Sequence, residues 1–145
     1  MTRNAVFAAA ATLAFSQVAW SQGQATGDPA AGEAAFRQCI ACHVVVNDAG
    51  ETLAGRNART GPNLYALGGR TAGSLAGFRY SPALGAAAEA GLVWDEATFV
   101  GYVQDPTGYL RDVLADPGAR GSMAFRVRNS TDALNLYAYL VSLSE

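Results

Sequence analysis

The chain has 145 residues, enough for one domain, and half of them are apolar. Net charge is −2 and only 15% of residues are charged, which excludes a protein that holds nucleic acid by phosphate attraction. Gly is frequent, at 16, and points to a loop-rich fold.

Residues 1–21 read as a targeting segment. Arg3 gives a positive start, and Ala5 to Phe15 is an apolar run of signal length. It is too short to cross a bilayer as a helix. Ala19-Trp20-Ser21 supplies small residues before a cut at Gln22. An ordinary N-terminal helix is the competing reading, but no caps or amphipathic period support it. The expectation is a cleaved signal peptide, 1–21, then a single domain, 22–145, with a periplasmic location and no membrane anchor after cleavage.

Gly27-Asp28-Pro29 opens the first helix, with Asp28 as cap and Pro29 at the first helical position. The helix runs through Phe36 into a Cys pair. Residues 44–61 read as loop. Gly61-Pro62-Asn63 is a turn, and Asn63 to Leu67 suits one helical turn before Gly68-Gly69. Residues 71–81 read as loop. Pro82 to Ala90 is Ala-rich and reads as a short helix ended by Gly91. Asp95 or a neighbour caps another helix, whose Phe99, Tyr102 and Val103 share a face, and Asp105-Pro106 stops it. A short helix is expected around Tyr109 to Leu114, ended near Pro117-Gly118. Residues 118–129 read as extended or irregular. Thr131 or Ser130 caps the last helix, with Leu134, Tyr137, Leu140 and Val141 as its apolar stripe. No alternating strand pattern is convincing. The fold expected is all-α with long loops. Such loops are uncommon in a small domain, and a large apolar ligand supplying part of the core accounts for them.

Cys39-Ile40-Ala41-Cys42-His43 is a C-x-x-C-H run, the signature of covalent haem attachment. Two thiols spaced by two residues reach one ring edge, and the following imidazole then lies under the iron. A thioredoxin-like dithiol would need an α/β sequence around the pair. A Cys39–Cys42 disulfide would close a tiny loop for little gain. A zinc site would need further Cys or His. His43 is the only His, and beyond residue 21 Met123 is the only Met. Electron carriers favour a His/Met iron, so His43 and Met123 are the candidate axial pair. Met123 lies in the flexible run Gly121-Ser122-Met123-Ala124-Phe125. Its competing role is that of a gap-filler in the core.

Beyond this run the sequence resembles class I c-type cytochromes, most closely the bacterial cytochrome c2 group. The resemblance covers nearly all of residues 27–143. It is carried by Gly32 and Phe36, by Arg59-Thr60-Gly61-Pro62-Asn63-Leu64 with Gly69-Arg70, and by Gly77-Phe78-Arg79-Tyr80. Trp94, Tyr102-Val103-Gln104-Asp105-Pro106, Gly121 to Phe125 and Tyr137-Ala138-Tyr139-Leu140 continue it. It implies a cytochrome c fold of about four to five helices wrapped, with long loops, around one covalent haem c. It also implies residue roles. The Pro62 carbonyl accepts from His43 Nδ1–H. Arg70, Tyr80 and Trp94 reach the haem propionates. Tyr102 bonds near the Met123 sulfur, Phe125 covers the haem edge, and Gly32 admits a close crossing near Leu136 and Tyr139.

Two departures stand out. Leu84 falls near a position commonly Asn in the family, and the resemblance implies a thinner internal polar network here. All 10 basic residues are Arg, whereas the family docks partners through a Lys ring at the haem edge. Here Arg59, Arg120, Arg126 and Arg128, with Arg37 nearby, form the only such ring, and Gln38, Thr107 and Ser122 stand where relatives carry Lys. Without Lys, no lysine amine can replace Met123 at high pH, as it does in some members.

The function implied is a monomeric periplasmic electron shuttle, not an enzyme. It would take electrons from a membrane quinol–cytochrome c oxidoreductase of the bc1 type and pass them to a photosynthetic reaction centre or a terminal oxidase, docking transiently through the haem edge. A haem subunit or electron donor of a periplasmic sulfur or nitrogen oxidoreductase is an alternative. A gas-binding or peroxidase-like cytochrome is another, and needs an open iron site.

Overall fold

The computed structural model describes residues 25–145; the expected signal, 1–21, lies outside them. Helix α1 spans Pro29–Phe36, with Pro29 at its first turn and the Asp28 side chain accepting from Ala30 N–H. These local choices satisfy donors that the first turn leaves orphaned. Past α1 the chain tightens into successive turns: Cys39 N–H donates to Phe36 O (2.8 Å), and Cys42 and His43 N–H both donate to Cys39 O (3.0 and 2.9 Å).

The stretch 44–61 is not all loop. Strands β1 (Val45–Val46) and β2 (Thr52–Ala54) pair antiparallel, with a register shift between Val45 and Val46. The turn between them is built by Asn47, whose Oδ1 accepts from Ala49 and Glu51 N–H at 3.0 and 2.9 Å. Residues 63–67 are not a helical turn either. Asn63 Oδ1 takes the Tyr65 N–H (3.1 Å), and Ala66 sits at φ +50°. A side chain competing for backbone donors and a left-handed residue both oppose helix.

Helix α2 (Pro82–Glu89) is capped by Ser81, and α3 (Glu96–Gln104) by Asp95, which forms a capping box with Thr98. Helix α4 spans Pro106–Leu114 and begins earlier than Tyr109. Asp105 ends α3 and also caps α4, and Pro106 supplies the first helical position. Helix α5 (Ser130–Ser142) is capped by Asn129 rather than by Ser130 or Thr131. Its buried positions include Ala133, Leu136, Tyr137 and Leu140, while Leu134 and Val141 are only half-buried. The stripe is rotated because α5 packs on both α1 and α3.

The α1–α5 crossing is close enough to exclude a side chain at Gly32. A Cβ there would lie against Asn135 O and 2.7 Å from Tyr139 Cβ, so the partners are Asn135 and Tyr139 rather than Leu136. Phe36 and Tyr139 meet at this crossing with ring centroids 5.7 Å apart. Helix α4 packs on α2 and α3. No helix of the described residues is long and apolar enough to cross a membrane.

Candidate functional site

The elements enclose a largely apolar cavity of about 600 Å³. Its walls come from the turn after α1, the loop at Thr60-Gly61-Pro62, the segment from Phe78 to Trp94, helix α3, and the run around Met123. All ten site residues picked from the sequence line it: Cys39, Cys42, His43, Pro62, Arg70, Tyr80, Trp94, Tyr102, Met123 and Phe125. A hollow of similar volume, about 620 Å³, lies outside it against Gln104, Phe125, Arg126 and Arg128, and carries no thiol, imidazole or thioether.

His43 is the best-fixed group. Its Nδ1 lies 2.9 Å from Pro62 O. A carbonyl can only accept, so Nδ1 carries the proton and Nε2 keeps its lone pair for a metal. Burial holds the imidazole below its usual pKa, with the Pro62 bond pulling weakly the other way. A neutral ring is the ligating form. The loop lies against the face of the ring at Gly61, where a Cβ would stand 2.6 Å from Nδ1 and 2.7 Å from Nε2. Gly61 N–H donates to Cys42 O (2.7 Å), which ties that loop to the Cys turn.

Cys39 and Cys42 are both free thiols, half-buried at the cavity rim. Burial, with Cys42 adding to it, pushes the Cys39 thiol up to about 11. A reactive dithiol draws on a lowered thiol pKa, the opposite direction from that at Cys39.

Polar groups gather around the cavity. Arg70 donates from its guanidinium to Tyr65 O (2.9 Å) and Asn63 O (3.1 Å), which orients it by two loop carbonyls. Burial holds it below the usual guanidinium range, and Tyr80 partly offsets that. A partly desolvated cation on an apolar cavity calls for an anion beside it. Among the described residues, the Trp94 indole N–H and the Tyr80 and Tyr102 hydroxyls have no protein partner, yet none is sealed away as an orphan. These donors open on the cavity. Trp94 and Tyr102 stack edge-on, centroids 5.0 Å apart. Burial, then Tyr80, pushes Tyr102 up to about 12. Two thiols at one rim, a neutral imidazole, a thioether and donors beside a cation fit a covalently held iron porphyrin with two carboxylates.

Sequence reasoning assigned no role to Gly61, Asn63, Phe78 or Ser81. Asn63 stitches the site together: Oδ1 accepts from Val46 N–H (2.9 Å) and Nδ2 donates to Val46 O (2.7 Å), pinning the strand after His43 to the Pro62 turn. Phe78 lines the cavity and packs edge-on against Tyr80 at 4.8 Å. Ser81 lines it too, while its hydroxyl is engaged in capping α2. An Asn directly after a Gly-Pro turn was the one available signal for such a staple.

No family model matches the chain. It is 63% identical over 118 residues to cytochrome c2 of Rhodovulum adriaticum, covering 81% of this chain and 94% of that one. It is 50% identical over 120 residues to cytochrome c-551 of Roseobacter denitrificans, covering 83% and 84%. The X-ray structure of cytochrome c2 from Rhodobacter sphaeroides superposes with a TM-score of 0.79 at 52% identity, covering 80% of this chain and 95% of that one.

Proposed function

The chain belongs to the cytochrome c2 group of class I c-type cytochromes, and from that membership we propose that it works in the periplasm as the carrier between a membrane quinol–cytochrome c oxidoreductase and a photosynthetic reaction centre or terminal oxidase. It carries one covalent haem c and transfers electrons; it is not an enzyme. When bound, the group supplies a reversible one-electron iron couple. The protein's task is to hold that couple and tune it.

In this reading, Cys39 and Cys42 form the thioether links. His43 Nε2 and the Met123 sulfur would hold the iron. The Pro62 carbonyl keeps the imidazole in one tautomer and makes Nε2 a stronger donor. Arg70, Tyr80 and Trp94 offer donors to the propionates, and Tyr102 offers its hydroxyl to the Met123 side. Phe125, 43% exposed, would cover the edge of the bound group. Burial and a thioether ligand both favour the reduced iron, because the oxidised form carries one more positive charge into a low dielectric.

The observation that carries the reading is the convergence of Cys39, Cys42, His43 and Met123 on one apolar cavity. Docking falls to Arg59, Arg120 and Arg128, with Arg37 nearby, because Arg126 is paired with Asp105 at 2.8 Å. So small a positive set gives shallow electrostatic steering. A redox titration with stopped-flow oxidation by purified partner complexes at varied ionic strength tests this. Low-spin spectra, a weak thioether-to-iron band in the ferric form and a modest fall in rate with salt are expected. Rapid carbon monoxide binding at neutral pH by the reduced form would refute the closed iron.

A further inference from the structure

Among the described residues, no backbone or side-chain polar group of Ser122-Met123-Ala124-Phe125 has a hydrogen-bond partner. The stretch is an arch, and its position is set by its two footings. On one side Arg111 Nε donates to Ala119 O (3.1 Å), and Gly121 N–H donates to the Thr107 hydroxyl (3.2 Å). On the other, Val127 N–H donates to Val103 O (2.8 Å), and the Arg126 guanidinium lies 2.8 Å from Asp105 Oδ1. Both footings stand on the corner between α3 and α4. Asp105 is that corner: the same Oδ1 also accepts from Gly108 N–H (3.0 Å) and so caps α4. Arg126–Asp105 is the one ion pair among the described residues.

We propose that the Asp105–Arg126 pair latches the arch shut, so that these two are positioning residues for Met123 and set how often the iron's sixth position opens. The proposal rests on the reading of Met123 as ligand. The latch has an electrostatic signature. The two side chains are 58% and 46% exposed, so salt screens their attraction over a Debye length of about 8 Å in physiological salt. Opening therefore quickens as ionic strength rises. An exposed pair of this kind changes an equilibrium about two- to fivefold.

The test uses the ferric holoprotein with imidazole as probe. At saturating imidazole the observed binding rate reports arch opening rather than encounter. Asp105→Asn removes the charge but keeps a good helix cap; Arg126→Gln removes the partner and leaves the cap untouched. Each is expected to open about two- to fivefold faster than wild type, and the double variant no faster than either single one. Added sodium chloride should speed the wild type toward the variants and leave the variants unchanged. A role confined to folding would move the denaturation midpoint without that salt dependence, and would overturn the latch. So would variants that open at the wild-type rate. A wild-type protein lacking the thioether-to-iron band would overturn the ligand reading and the latch with it; a normal band with unchanged opening rates overturns the latch alone.

Discussion

Gly61→Ala is the sharpest test of how the chain positions His43. The backbone at Gly61 lies outside the left-handed region, so alanine is conformationally acceptable and the effect isolates its methyl. That carbon would stand 2.6 Å from Nδ1 and 2.7 Å from Nε2, where ordinary contact is about 3.5–4.0 Å. Roughly 1 Å must be found somewhere. The loop cannot yield it easily, since Gly61 N–H is bonded to Cys42 O at 2.7 Å. The ring is held as well, by Nδ1–H to Pro62 O at 2.9 Å. The imidazole must therefore tilt and weaken that bond. Overpacking costs about 1–3 kcal/mol, and the lost bond about 0.5–1.5 kcal/mol. Together they predict a loss of about 1.5–4.5 kcal/mol in guanidinium unfolding of the ferric holoprotein. The potential should rise at the same time, because a less engaged Nδ1–H leaves Nε2 a weaker donor to the oxidised iron. A variant within about 0.5 kcal/mol of wild type, with its potential unchanged, would refute the reasoning.

Gly32→Ala should destabilise by about 1–3 kcal/mol or more in the same assay, because its Cβ meets the α5 backbone at Asn135 and neither helix can yield without parting the crossing. Met123→Ala should lower the potential, erase the thioether band and admit carbon monoxide rapidly; an unchanged potential would remove Met123 from the iron. Preventing haem attachment with Cys39→Ala and Cys42→Ala leaves a cavity of about 600 Å³ to be kept empty. Without the group that fills it, that largely apolar hollow takes away much of the core joining the helices. The unloaded chain should then show no cooperative thermal transition by circular dichroism.

The chemistry of this protein is written in short-range sequence. The C-x-x-C-H spacing, the single His and the lone Met beyond residue 21 single out the proposed holders of the cofactor with no fold in hand, because attachment depends on residue types at fixed spacing and each axial donor has one candidate. Two helix starts were legible for the same local reason: Asp28 and Asp95 cap within three residues of the donors they satisfy. Misreadings arose where a distant partner decided. Asn63 gives its side chain to Val46, seventeen residues earlier in the chain, and so turns an apparent helical turn into a staple. The stripe on α5 rotated because α1 and α3 press on it from different sides. Asp105 reads locally as a helix stop, and only the folded chain brings Arg126 to it. Sequence alone thus determined which groups can hold the haem. The tertiary structure decided how firmly each is held, because close approaches such as Gly61 on His43 and the footings of the Met123 arch join segments far apart along the chain.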